Sequence, residues 1–231
     1  MLKKYIGIAL LVIASGCDAG NKAQDAGAEQ EKSSFHIVKM DKQLQDPASP
    51  VGYWEVSLTY PQLINGAAAS LDVVNKRIRK LVDDYSCQGM GDQTFTADPV
   101  YSNGRVLGFY YEAMWMCPTM PSPDSTSGVV NYNLKTGGTI DIRKEFIDEA
   151  SLKRFVALAN EALNKKLEGL PASEKAYCAP FDETASLFVA QDGIVVKGLS
   201  ASGEEPDCPV SITIHKKELA AFVKTGSVIL E

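Results

Sequence analysis

Residues 93–117 read QTFTADPVY-SNG-RVLGFYYEAMWMC, and this stretch decides the fold. Two runs rich in aromatic residues, Gln93 to Tyr101 and Arg105 to Cys117, flank Ser102-Asn103-Gly104. An Asn-Gly pair tolerates the positive φ angles that tight turns between antiparallel strands require, so the stretch reads as a β-hairpin.

Working outward, Phe35 to Met40 and Tyr53 to Tyr60 alternate with period two, as half-buried strands do. Asp46-Pro47 and Ser49-Pro50 mark a loop between them, and Pro61 with Asn65-Gly66 is expected to end the second strand. Leu71, Val74, Ile78, Leu81, Val82 and Tyr85 then recur at helical spacing, with Lys76, Arg77, Arg79 and Lys80 elsewhere around the helix. Such an amphipathic helix lays its apolar stripe on a sheet.

Downstream, Val129 to Leu134 and Thr139 to Ile142 flank Lys135-Thr136-Gly137-Gly138, a second expected hairpin. Leu152, Phe155, Val156, Ala159, Leu163 and Leu167 predict a helix over Ser151 to Glu168, stopped by Gly169 and Pro171. Three more strands are expected at Leu187 to Ala190, Ile194 to Leu199 and Val210 to His215, and a short helix from Lys217 to Lys224 closes the chain. The fold class is α+β: an antiparallel sheet built from hairpins, packed against two main helices and a short C-terminal helix.

The chain has 231 residues, 45% hydrophobic and 23% charged, with five cysteines and two histidines. That composition excludes a disordered tail, a collagen-like repeat and a many-helix membrane protein. The 23 basic and 29 acidic residues give a net charge of −6, which argues against nucleic acid and for a cationic partner.

The N-terminus has its own organisation. Lys3 and Lys4 precede an apolar run from Tyr5 to Ser15, well short of the roughly twenty residues that span a bilayer. This is the pattern of a secretory signal. It ends in Ala14-Ser15-Gly16-Cys17, which resembles the lipobox of bacterial lipoproteins. The resemblance implies a signal peptide at 1–16, removed before a lipidated Cys17, and a membrane anchor that needs no spanning helix. Asp18 after the cysteine resembles an inner-membrane retention signal of enteric lipoproteins. The expected place is therefore the bacterial envelope, facing the periplasm or exterior, with the inner membrane favoured over the outer.

Asp18 to Ser34 carries no aromatic residue and no apolar period, so it cannot bury enough surface to offset its ordering entropy. With Cys17 it reads as a tether, 17–34, spanning roughly 20–25 Å as a coil. A single domain, 35–231, follows.

Several short motifs in that domain resemble the RsiV-like envelope domains of unknown function. These occur in the lysozyme-sensing anti-sigma factor RsiV and beside the catalytic domain of the peptidoglycan deacetylase PdaC. The matching pieces are Tyr60-Pro61-Gln62-Leu63 and the run Val130-Asn131-Tyr132-Asn133-Leu134-Lys135-Thr136-Gly137-Gly138. Leu187-Phe188, Asp192-Gly193-Ile194, Val210-Ser211-Ile212-Thr213-Ile214 and Glu218-Leu219 complete the set. After the last strand the family often has tyrosine and proline where this chain has His215-Lys216-Lys217. The resemblance implies an envelope-binding role, with lysozyme as one ligand.

Setting Cys17 aside leaves Cys87, Cys117, Cys178 and Cys208, an even number suited to disulfides in an exported domain. Three pairings are open. Cys87–Cys117 and Cys178–Cys208 are favoured because each closes the ends of a hairpin-containing segment. No cofactor or metal motif is present: there is no C-x-x-C pair, no H-E-x-x-H and no G-x-S-x-G. His36 and His215 lie on alternating strands, where a surface histidine is the ordinary case.

Phe109, Tyr110, Tyr111 and Trp115, with Tyr53 and Trp54, are candidates for stacking on sugar rings, although a sheet core is the commoner use of such residues. Glu204, Glu205 and Asp207, with Asp182 and Glu183 across the expected Cys178–Cys208 bond, form a candidate acidic edge for a basic protein such as a lysozyme. The reading is a non-enzymatic, lipid-anchored binding domain for a cationic protein or peptidoglycan. The alternatives are a cell-wall glycan hydrolase working through carboxylates and a structural envelope lipoprotein. Oligomeric state has no signature in the chain.

Overall fold

The alternating runs pair into two sheets, not one. The structure, a computed structural model, describes residues 34–65, 68–87, 89–197, 208 and 210–230. Signal peptide, Cys17 and tether lie outside the described residues, apart from Ser34.

The first sheet has the order β1-β2-β3-β4-β5, from β1 (Ser34–Gln45), β2 (Tyr53–Asn65), β3 (Asp92–Ser102), β4 (Val106–Met116) and β5 (Asp124–Asn133). The second contains β6 (Ser186–Ala190), β7 (Gly193–Lys197) and β8 (Ser211–His215), in that order. The two main helices are α1 (Ala68–Asp84) and α2 (Glu149–Glu168); α3 (Ala172–Lys175) and α4 (Lys216–Leu219) are single turns. The α+β class stands.

Four local expectations change. The β2–β3 pair is parallel, with Val56 opposite Gln93 and Thr59 opposite Thr96, because the intervening α1 returns the chain to the same end of the sheet. Strand β2 continues through Pro61 to Asn65. Pro61 is tolerated because β3 has stopped pairing with β2 at Thr59, so no ladder bond is lost on that side. The second expected hairpin shrinks to a turn with a single bridge, Tyr132 to Thr139, and Ile142–Glu145 becomes a 3₁₀ turn capped by Asp141. The C-terminal helix covers only Lys216–Leu219 and is followed by turns.

Each sheet has its own helix. On the first, Val74, Ile78 and Val82 of α1 pack on Phe95, Leu107, Phe109 and Tyr111. Burying each such side chain is worth ~1.5–3 kcal/mol relative to leaving it exposed, which is what holds the helix in place. On the second, Phe155, Ala159 and Leu163 of α2 pack on Leu187, Val189, Ile194, Val196, Ile212 and Ile214. Helix α2 starts at Asp148, whose carboxylate accepts the Ser151 amide at 2.7 Å.

The sheets meet where Tyr110, Phe188, Ala190 and Val195 bury one another, with Tyr101 stacked on Phe188 at 6.0 Å. The approach is close: a Cβ on Gly108 would stand 2.5 Å from the Val189 carbonyl oxygen. Only glycine lets β6 cross β4 there.

Three asparagines join elements that share no ladder. Asn75 of α1 accepts the Leu63 amide at 2.8 Å and donates to the Leu63 carbonyl at 2.9 Å, replacing the strand partner that β3 no longer supplies. Asn131 of β5 accepts the Val189 amide at 2.8 Å and donates to the Leu187 carbonyl at 2.9 Å, tying the sheets together. Asn160 of α2 holds Phe181 the same way, at 2.7 and 2.9 Å. Every buried side-chain polar atom among the described residues has a partner, as close packing requires.

Candidate functional site

A partly open, largely apolar groove lies where β1 and β2 run past the end of α1. Strand β1 pairs with β2 along its whole length, from Phe35 opposite Leu63 to Gln45 opposite Tyr53, and has no strand neighbour on its other side among the described residues. Its inward residues Met40, Lys42 and Leu44 face the same side as Leu58, Val56 and Trp54 opposite them. Helix α1 covers the centre of the sheet but stops short of β1. A groove of about 280 Å³ remains.

Its floor is Met40, Leu44, Val56, Leu58, Tyr60 and Val82; Arg79, Asp83 and Lys42 stand around it, and Gly89 to Gly91 form the end wall. Met40 is 38% exposed and Met90 43%. Methionine adapts its shape to what it covers, a property of pliable binding surfaces.

The end wall is fixed covalently. Cys87 and Cys117 are disulfide-bonded with their Cα atoms 5.2 Å apart, fastening the segment after α1 to the end of β4. Gly91 has φ +132°, and a Cβ there would meet the Met116 carbonyl oxygen at 2.5 Å and the Cys87 sulfur at 2.6 Å. Gln93 closes the other side by donating to the Val82 carbonyl at 2.8 Å, one of the helix-end acceptors that need a partner. At the turn of the β1–β2 hairpin, Asp46 accepts Trp54 Nε1 at 2.7 Å and the Ala48 amide at 2.9 Å. The Trp54 bond, then the Ala48 bond, hold its carboxyl below the usual range.

Lys76, Arg77 and Arg79 carry no ion pair among the described residues, whereas Lys80 binds Asp84 at 2.6 Å. Of these only Arg79 lines the groove, where it and Lys42 outnumber Asp83.

The aromatic candidates divide. Phe109, Tyr110, Tyr111 and Trp54 are core, and Tyr85, Tyr111 and Trp115 form a cluster with the Tyr85 and Tyr111 hydroxyls 3.1 Å apart. Burial, then the bond to Tyr85, raises the Tyr111 phenol, and burial pushes that of Tyr132 up to about 12. Both stay neutral at any physiological pH. Tyr53 is half-buried and presents no open platform with them.

Cys178 and Cys208 are also disulfide-bonded, with Cα atoms 4.7 Å apart, so both bonds are the pairings favoured for closing the ends of hairpin-containing segments. Of the acidic edge, Asp182 and Glu183 are exposed, while Glu204, Glu205 and Asp207 lie outside the described residues. Asp182 accepts the Thr184 hydroxyl at 2.6 Å and amide at 2.7 Å, which lowers its pKa and fixes the turn. His36 and His215 are exposed and far apart in the fold, on β1 and at the end of β8. No cluster of metal-ligating side chains occurs among the described residues, and no helix among them is long and apolar enough to cross a membrane.

The groove went unread in the sequence because its lining is core-like in pattern. Only Met40 and Met90, apolar yet outside any covered face, carried a signal.

The architecture is similar to that of two bacterial proteins of solved structure. A DUF3298 family protein of Bacteroides fragilis superimposes with a TM-score of 0.55 at 11% identity, over 87% of this chain and 97% of its own. A DUF3298 family protein of Pseudomonas aeruginosa gives 0.55 at 12% identity, over 85% and 96%. At such identities the likeness is one of fold. No protein-family model matches the sequence, and no curated protein matches it.

Proposed function

We propose that this protein is a lipid-tethered binding domain of the bacterial envelope with no catalytic chemistry of its own. The groove carries this reading: an apolar floor, charges confined to the rim and an unpaired strand edge alongside suit the holding of a ligand. The lipobox-like Ala14-Ser15-Gly16-Cys17 and the motifs that resemble RsiV-like envelope domains support its placement in the envelope. The acidic balance of the chain, with Asp182 and Glu183 in one stretch of sequence and Glu204, Glu205 and Asp207 in another, supports a cationic protein such as lysozyme as one ligand. Peptidoglycan is the other. Capture of lysozyme and of purified peptidoglycan by the full-length protein in lipid nanodiscs tests the reading; retention of either is expected, and retention of neither refutes it.

A further inference from the structure

We infer that the groove and the free edge of β1 together form a strand-addition site for an extended peptide of a partner protein. That peptide carries apolar side chains at alternate positions and a carboxylate that meets Lys42 and Arg79. The inference rests on the groove being a ligand-holding surface and names what it holds.

Three observations converge. Strand β1 is long, from Ser34 to Gln45, and its outer row of amides and carbonyls pairs with no strand among the described residues. A chain added there continues the sheet, and every second side chain of that chain lies on the face that Met40 and Leu44 share with α1. Backbone pairing supplies affinity and the groove supplies selection of side chains.

The second observation is shape. At about 280 Å³ the groove is small for a drug-sized ligand, whose pockets run ~300–1,000 Å³. It lies along a strand edge, which suits a row of side chains from one chain.

The third is charge. Lys42 and Arg79 line the groove, Lys76 lies on the same helix, and Asp83 alone opposes them in the lining. The surplus positive charge favours a carboxylate in the occupant. The chain's own tether does not fit, because Asp18 to Ser34 has no apolar side chain larger than alanine to place on the floor.

The test uses full-length protein in lipid nanodiscs and three fluorescent ten-residue peptides. The first alternates valine with threonine and carries two glutamates; the second replaces the glutamates by lysine; the third N-methylates alternate amides of the first. The first peptide is expected to bind and to slow hydrogen exchange of residues 36–44. The second and third should bind about tenfold more weakly or worse, from lost charge pairing and lost backbone pairing respectively. Met40→Glu should abolish binding of the first peptide, and Met114→Glu, on the opposite face of the same sheet, should leave it unchanged. Equal binding of the N-methylated or lysine peptide, or unchanged exchange in β1, overturns the inference. So does a Lys39→Cys protein that cross-links to itself in cells through position 39, which assigns the edge to a second copy. Retained capture of lysozyme or peptidoglycan alongside a failed peptide test removes this inference alone and leaves the binding-domain reading standing.

Discussion

Replacing Asn131 by leucine tests whether the two sheets are held together by one side-chain amide. Asn131 is 5% exposed; its carboxamide accepts the Val189 amide and donates to the Leu187 carbonyl, both on buried β6. Leucine fills the space, so water cannot enter in place of the amide, and two backbone groups lose their partners. Each orphaned group costs about 1–3 kcal/mol, partly offset by the apolar surface leucine buries, for a net loss of about 2–4 kcal/mol. With a urea m-value of about 2 kcal/mol/M, the unfolding midpoint should fall by about 1–2 M at unchanged m. Asn164→Leu, at an exposed position of α2, serves as the control and should stay within about 0.5 kcal/mol.

Asn131→Asp sharpens the test. Its carboxylate keeps the Val189 bond but faces the Leu187 carbonyl without a proton, so the folded-state pKa lies above the unfolded value. Stability of that variant should therefore rise as the pH falls from 7 towards 4, because the folded state then binds more protons. A loss below about 0.5 kcal/mol for Asn131→Leu, or a fall in stability of Asn131→Asp on acidification over that range, refutes the reasoning.

Gly108→Ala places a Cβ against the Val189 backbone and should destabilise by about 1–3 kcal/mol through displacement of β6, read as a lower thermal midpoint. Alanine at both Cys178 and Cys208 opens a loop with a sequence separation of 30, which in the chain-entropy model removes about 3–4 kcal/mol; an unchanged urea midpoint contradicts it. Asp46 has a lowered folded-state pKa, so its contribution is present above the unfolded value near ~3.9 and disappears as the pH falls through the folded one. Asp46→Asn should accordingly flatten the acid limb of the thermal midpoint between pH 5 and 2 (~3 units around that value), and an identical limb rules it out. Cys17→Ser should release the mature protein from membranes on fractionation; unchanged sedimentation with membranes excludes lipid anchoring.

Much of the architecture was legible because it is written in local periodicity. The α1 stripe Leu71, Val74, Ile78 and Val82, the Asn103-Gly104 turn and the helix ended by Gly169 each depend on residues near one another in the chain. So does the enclosure of a hairpin-containing segment, which favoured Cys87–Cys117 and Cys178–Cys208 over the other pairings. The groove was not legible, since Val56, Leu58 and Val82 look like any core residues until α1 is seen to stop short of β1.

From its sequence alone this protein reads as an α+β chain of alternating strands and two amphipathic helices, with an N-terminus expected to direct export and four cysteines expected to pair. Tertiary structure decided that β2 and β3 run parallel, that the strands divide into two sheets, and that Asn75, Asn131 and Asn160 are internal connectors and not surface polar residues. The reason is physical. Period two or 3.6 reports which face of an element is buried, but a backbone amide pairs with whatever the whole chain brings opposite it, and that partner can lie more than a hundred residues away, as Val228 lies from the Asn103 side chain.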